Sequence, residues 1–150
     1  MVISGPEGQR EVPAEEFFIG PQINITEMTV LKPTELLTFI KIPNKWSKAE
    51  FYFEKVADRN TWDFALVNVA CSKIFQDNKL QDIRIVTGGV ECVPKRLRAS
   101  EEIALGSTAD EETAKLAGGI ASRGATPLNY NHFKIPLMEN LVKRAIERTI

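Results

Sequence analysis

From residue 50 onward, apolar and polar positions follow two different periods. Residues 51–57, 63–76 and 81–90 carry the short-period pattern of strands. In 81-QDIRIVTGGV-90, Ile83 and Ile85 point one way and Arg84 and Val86 the other, as in a strand with one wet face. The run 63-DFALVNVACSKIFQ-76 is denser and predicts a strand buried on both faces. The links 58-DRNTW-62 and 76-QDNKL-80 are polar and turn-like. Three strands joined by short turns predict an antiparallel meander. Lys55, Arg59 and Asp63 cluster where the chain enters the densest strand. They are either surface charges or the border of a ligand site, and the spacing of Arg59 and Asp63 favours a mutual ion pair.

Beyond residue 98 the period becomes helical. Residues 99–105 predict a short helix ended by Gly106. Thr108 and Glu111 have capping-box spacing ahead of a second helix. There Thr113, Leu116, Ala117, Ile120 and Ala121 form the expected buried stripe. Gly118 and Gly119 weaken that helix and permit close packing. In the third helix, Ile135, Met138, Leu141, Val142, Ala145 and Ile146 make one apolar stripe. Lys143, Arg144 and Arg148 crowd its end, where positive charge complements the dipole. The order predicts an α+β fold, a three-stranded meander packed on about three helices.

Residues 1–33 read differently. Gly5, Pro6, Gly8, Pro13, Gly20, Pro21 and Pro33 interrupt the chain too often for long elements. Phe17, Phe18, Ile23, Ile25 and Val30 nevertheless need a partner surface. The segment is expected to be an arm that is mobile or packed on a neighbour, a route to self-association through residues 1–43. A strand over 35-ELLTFIKIP-43, stopped by Pro43, follows it.

Composition narrows the function. The chain has 150 residues, 43% hydrophobic and 26% charged, with a formal net charge of −1. No basic excess points to nucleic acid or an anionic membrane. No apolar run is long enough to span a bilayer, and the first residues lack the features of a secretion signal. A cytoplasmic setting is expected. Cys71 and Cys92 are read as reduced core residues, with a disulfide as the alternative. One histidine, His132, and no CxxC argue against a structural zinc site; His132 is placed in a loop before the last helix, with no motif partner for catalysis. Gly88-Gly89 is a turn or bulge, or a point of ligand approach. Lys95, Arg96 and Arg98 are a solvated charge run, or a phosphate contact.

Several phrases in order resemble one module. They are F-x-K-x-x-x-R-x-x-x-D-F-A-x-V from Phe53 to Val67, then G-G-V-x-x-x-P-x-R-x-x-x-x-E from Gly88 to Glu101, then a closing helix after Asn129-Tyr130. This pattern resembles the C-terminal domain of the FAD-binding (medium) subunit of molybdenum hydroxylases, the xanthine dehydrogenase and carbon monoxide dehydrogenase family. Glu54 departs from it, standing where the family often has an aromatic. Upstream, 12-VPAEEFFIG-20 and 35-ELLTFIKIP-43 look like the end of that family's flavin-binding domain.

The resemblance implies two regions, residues 1–45 as a remnant of a truncated flavin-binding domain with its linker and 46–150 as the C-terminal domain. It implies FAD as cofactor, with Leu37 packed on the flavin ring and Lys55 near its polar edge. For Lys55, a solvated strand-end lysine is the alternative. It also implies a molybdenum cofactor and iron–sulfur clusters on partner subunits, with electrons passing through FAD to NAD or another acceptor. The two Gly-rich loops that cradle the flavin pyrophosphate in the family have no counterpart in the sequence, so the chain alone is expected to be inactive. A non-catalytic interaction or assembly module that binds no flavin is the alternative function.

Overall fold

A computed structural model describes residues 1–147. Arg148 therefore lies outside the described residues. The chain divides into two compact units, Met1–Ser47 with Cys92–Pro94, and Lys48–Glu91 with Lys95–Ile150.

The first unit is a small antiparallel sheet. Strands β1 (Val2–Gly5), β2 (Gly8–Glu11) and β3 (Leu36–Phe39) lie in the order β2-β1-β3. Residues 1–33 are thus a folded part of this unit, where the sequence suggested an arm. The Gly and Pro interruptions fall between four-residue strands, and β1 finds its second partner more than thirty residues away, Val2 opposite Phe39. Helix α1 (Ala14–Phe17) is a single turn that buries Phe17, with Phe18 edge-on to it at 5.1 Å between ring centroids. The long excursion between β2 and β3 is held by Arg10. Its Nε and Nη2 donate to the Glu35 carboxylate at 2.9 and 2.8 Å, and Nη2 also donates to the Val30 carbonyl at 2.8 Å.

The Arg10 guanidinium, then the Lys32 N–H, hold the Glu35 carboxyl at a pKa of about 2, well below the usual range. A carboxyl held down in the fold contributes stability above its unfolded pKa of about 4.3 and loses it as pH falls through the folded value. Amide protection factors across β1 and β3, which correct for the slower intrinsic exchange in acid, are therefore predicted to fall as pH drops toward 2. Glu35→Gln should exchange faster at neutral pH and show no such acid step. An acid step of the same size in the variant would count against the assignment.

The second unit is α+β, as predicted. Strands β4 (Glu50–Val56), β5 (Val67–Gln76) and β6 (Lys79–Gly88) form the meander, and a short β7 (Lys95–Arg96) extends it in the order β4-β5-β6-β7. The β5–β6 hairpin closes through Asp77 and Asn78, both at positive φ, in the turn that suits right-twisted strands. Helices α2 (Arg98–Ala104), α3 (Glu111–Ile120) and α4 (Lys134–Ile146) complete the unit. β5 is buried on one face only, against expectation. Val67, Val69, Cys71 and Lys73 face the core, while Asn68, Ala70 and Ser72 alternate outward. Phe64 and Ala65, which made the run look continuous, precede the strand, and Phe64 is exposed. Lys73 ends the inner row by reaching the Ile146 carbonyl at 3.4 Å, at the negative end of α4.

The α4 stripe is buried as predicted, from Met138 to Ile146. That of α3 is rotated. Ala114, Ala117, Gly118 and Ala121 face inward, and Leu116 faces solvent. The cause is the close approach of α3 and α4. A Cβ on Gly118 would stand 2.7 Å from the Glu139 carbonyl oxygen, so only small residues fit this seam. The cap of α3 is also displaced. Asp110, not Thr108, is the N-cap; its carboxylate accepts the Thr113 N–H at 2.9 Å and the Thr108 hydroxyl at 2.8 Å. Cys71 is a free buried thiol, its pKa pushed up by burial to about 12, but Cys92 is exposed rather than core. No helix among the described residues is long and apolar enough to cross a membrane.

Candidate functional site

The outer face of β4 and the loop after it carry the first phrase of the motif. Among the described residues β4 is an edge strand, paired with β5 alone. Strand alternation puts Tyr52, Glu54 and Val56 on the core side and Phe51, Phe53 and Lys55 on the outer side. Phe51 and Phe53 remain 69% and 67% exposed, an unusual place for two neighbouring phenylalanines. On the inner side, the Tyr52 hydroxyl donates to Glu54, which also accepts Arg144 of α4 at 2.6 Å. Burial, with Glu54 adding to it, raises the Tyr52 pKa to about 12. The inner side therefore fixes the strand against α4, and the outer side is exposed.

The loop closes on itself through the residues that the motif specifies. The Leu66 N–H donates to the Val56 carbonyl at 2.7 Å and shuts the excursion. Arg59 Nε pairs with the Asp63 carboxylate at 3.1 Å, as the spacing predicted. That carboxylate also accepts the Phe64 N–H at 3.0 Å. Arg59 foremost, with the Phe64 N–H assisting, holds the Asp63 carboxyl below its usual range. Lys55 Nζ donates to the Asp63 main-chain carbonyl at 2.7 Å. The ammonium is thereby held at the end of β4 beside the loop, with further N–H groups to offer.

The second phrase is mainly structural. Gly89 sits at φ +77°, and a Cβ there would meet the Leu66 carbonyl oxygen at 2.9 Å. The space at Gly89 is thus filled by the loop of the first phrase and that at Gly88 by the Asn68 side chain of β5, so the pair forms no open phosphate cradle. Lys134 Nζ donates to the Gly89 carbonyl at 2.8 Å and ties α4 to the same corner. Arg96 forms a bidentate pair with the buried Glu101, whose Oε1 also accepts the Ile85 N–H at 2.9 Å. Lys95 pairs with Glu91. For Arg96 and Lys95 the phosphate alternative therefore gives way to ion pairs, and that of Arg96 locks α2 to the sheet.

Leu37 belongs to the first unit, on β3 opposite Ile3, with 37% of its surface exposed. Lys55 belongs to the second. His132 lies exposed in the turn before α4. Among the described residues, no group of His, Cys, Asp and Glu is arranged to hold a metal ion. The sequence reading passed over Phe51, Phe53, Trp62 and Phe64 as site candidates. The signal was the alternation of aromatic and charged residues in β4, which acquires meaning only once the strand is known to be an edge.

Comparison with known proteins adds four matches. Residues 52–149 match the family described as the CO dehydrogenase flavoprotein C-terminal domain. The nicotine 6-hydroxylase medium subunit of Paenarthrobacter nicotinovorans is 28% identical over 151 residues, covering 99% of this chain and 50% of that protein. The glyceraldehyde dehydrogenase medium chain of Sulfolobus acidocaldarius is 30% identical over 129 residues, 86% of this chain and 42% of that one. Among solved structures, quinoline 2-oxidoreductase from Pseudomonas putida 86 superposes with a TM-score of 0.79 at 27% identity, over 97% of this chain and 50% of the other. The chain spans about half the length of the curated relatives it matches.

Proposed function

The chain belongs to the CO dehydrogenase flavoprotein C-terminal domain family, and from this we propose that it is the C-terminal part of the FAD-binding medium subunit of a molybdenum hydroxylase, acting in the cytoplasm. FAD supplies an exchange between the one-electron iron–sulfur clusters of a partner subunit and NAD or another two-electron acceptor. The substrate would be oxidised at a molybdenum cofactor on a further subunit.

The observation that carries this reading is the outer face of β4. Phe51 and Phe53 form an exposed flat apolar strip, and Lys55 ends it with an ammonium anchored by Asp63. An apolar strip ending in a cation suits a planar heteroaromatic ring with an electron-rich edge. Lys55 would hold that edge and favour negative charge on it. For Leu37, in the remnant of the flavin-binding domain, residues 1–45, the support for an apolar flavin contact is the family resemblance alone. Ile23, Ile25, Phe39 and Ile42 are largely exposed there, a surface suited to cover by the rest of that domain or by self-association. The pyrophosphate would be held by Gly-rich loops outside this sequence, since Leu66 fills the space at Gly89 and Asn68 that at Gly88.

The chain alone is therefore predicted to quench flavin fluorescence weakly and without saturation at micromolar FAD. Joined to a medium-subunit half that bears the two Gly-rich loops, it should bind FAD saturably. Submicromolar binding by the chain alone would contradict the division of labour. A joined subunit that stays colourless would favour an interaction module without flavin.

A further inference from the structure

The rotation of α3 leaves an apolar face with no partner among the described residues. Leu116 is 60% exposed, and with Ile103 of α2 and Ile120 it lines a shallow groove of about 880 Å³. Gly119 opens into this groove, with nothing within 4 Å of the point where a Cβ would stand. Glu112 and Arg123 mark its two ends, and Lys115 its side. The face therefore holds a large knob, an empty hole, and opposite charges, Glu112 in the first turn of α3 and Arg123 in the turn that follows it.

We propose that this face binds the same face of a second copy of the chain, with the two α3 helices antiparallel about a twofold axis. Self-complementarity is the argument. In a twofold contact, if residue i meets residue j, then j meets i. The register that sets Leu116 opposite Gly119 of the other copy also sets Ile120 opposite Lys115 and Arg123 opposite Glu112. Leu116 then fills the space above Gly119, twice. Ile120 packs on the aliphatic stem of Lys115. Each end of the contact gains an Arg–Glu pair, and no like charges are opposed. A one-helix contact is small beside a standard interface, so the dimer is a weak one that forms at high micromolar concentration.

Sedimentation equilibrium on the whole chain tests this, with wild type, Leu116→Glu, Arg123→Glu, Glu112→Arg and the double reversal. Leu116 is exposed in the monomer, so circular dichroism should show an unchanged fold. Wild type should approach twice the chain's 16.8 kDa. Leu116→Glu and each single reversal should weaken association about tenfold or more. The double reversal, which exchanges the signs at both ends, should return toward wild type. A wild-type chain that stays monomeric overturns the proposal and leaves the face to a different protein. So does association that none of the variants weakens, which would locate the contact at residues 1–43. A double reversal as weak as the single ones overturns the antiparallel register.

Discussion

Glu101→Ala is expected to destabilise the second unit by about 3 kcal/mol, the largest effect of any single substitution considered. Glu101 is 6% exposed, and one side chain there serves two needs. Its carboxylate neutralises Arg96, whose side chain is 17% exposed, through bonds of 2.7 and 2.9 Å. It also accepts the Ile85 main-chain N–H at 2.9 Å in the middle of β6. Removing it breaks the bidentate pair on a largely buried guanidinium, and breaking a buried pair typically costs about 3–5 kcal/mol, the lower end applying where water or other groups reach the remaining partner. It also leaves an amide donor without its acceptor, a further cost of about 1 kcal/mol or more unless water enters. Glu101→Gln should lie between, because the amide oxygen can still accept from Ile85 while the charge is gone. Urea unfolding should show a lower midpoint with an unchanged slope, and the Ile85 amide should exchange faster in the alanine variant. A loss below about 1 kcal/mol would mean that the pair is dispensable, as many exposed ion pairs are.

This pair also shows what the sequence could and could not reveal. Arg96 and Glu101 stand out in the sequence as parts of a family phrase, and a basic residue beside Lys95 and Arg98 invites a phosphate. Only the fold shows that α2 returns over β6 and brings Glu101 onto Arg96. The elements read correctly were those whose bulky apolar residues leave one choice of face. In α4, Met138, Leu141, Val142 and Ile146 have no competing stripe; in β6, Ile83 and Ile85 alternate with Arg84. In α3 two helical stripes compete, one with Leu116 and Ile120, the other with Ala114, Ala117 and Gly118. Hydrophobicity favours the first, but the 2.7 Å clearance at Gly118 selects the second. Local pattern contains no term for how close the neighbouring helix comes.

The same limit applies at the candidate site. The spacing of Arg59 and Asp63 predicted their pair because both lie in one loop. Lys55 was singled out by resemblance, and the choice between a bare strand-end lysine and a ring-edge lysine was open. The outward position of Phe51 and Phe53 was hidden because β4 reads as a core strand until its edge position is known. For residues 1–33 the obstacle was distance along the chain, since β1 pairs with β3 across the whole excursion that Arg10 and Glu35 hold together.

The second large effect expected is on the flavin potential, and it rests on Lys55 at the end of the Phe51–Phe53 strip. If the ammonium borders the flavin, it stabilises the negatively charged reduced ring, and Lys55→Ala removes that attraction. One charge beside another in partly screened surroundings is worth on the order of 1 kcal/mol. For a two-electron couple this lowers the midpoint by about 20 mV. Stability should barely change, because Lys55 is exposed and makes one bond, to the Asp63 carbonyl. Lys55→Arg should keep most of the potential, since the charge survives. The decisive measurement is a potentiometric titration of a flavin-loaded medium subunit containing this chain, wild type beside Lys55→Ala. The account predicts a midpoint lower by about 20 mV in the variant, with FAD fully retained. Equal midpoints in two fully loaded proteins would contradict it and leave Lys55 as a solvated lysine at a strand end.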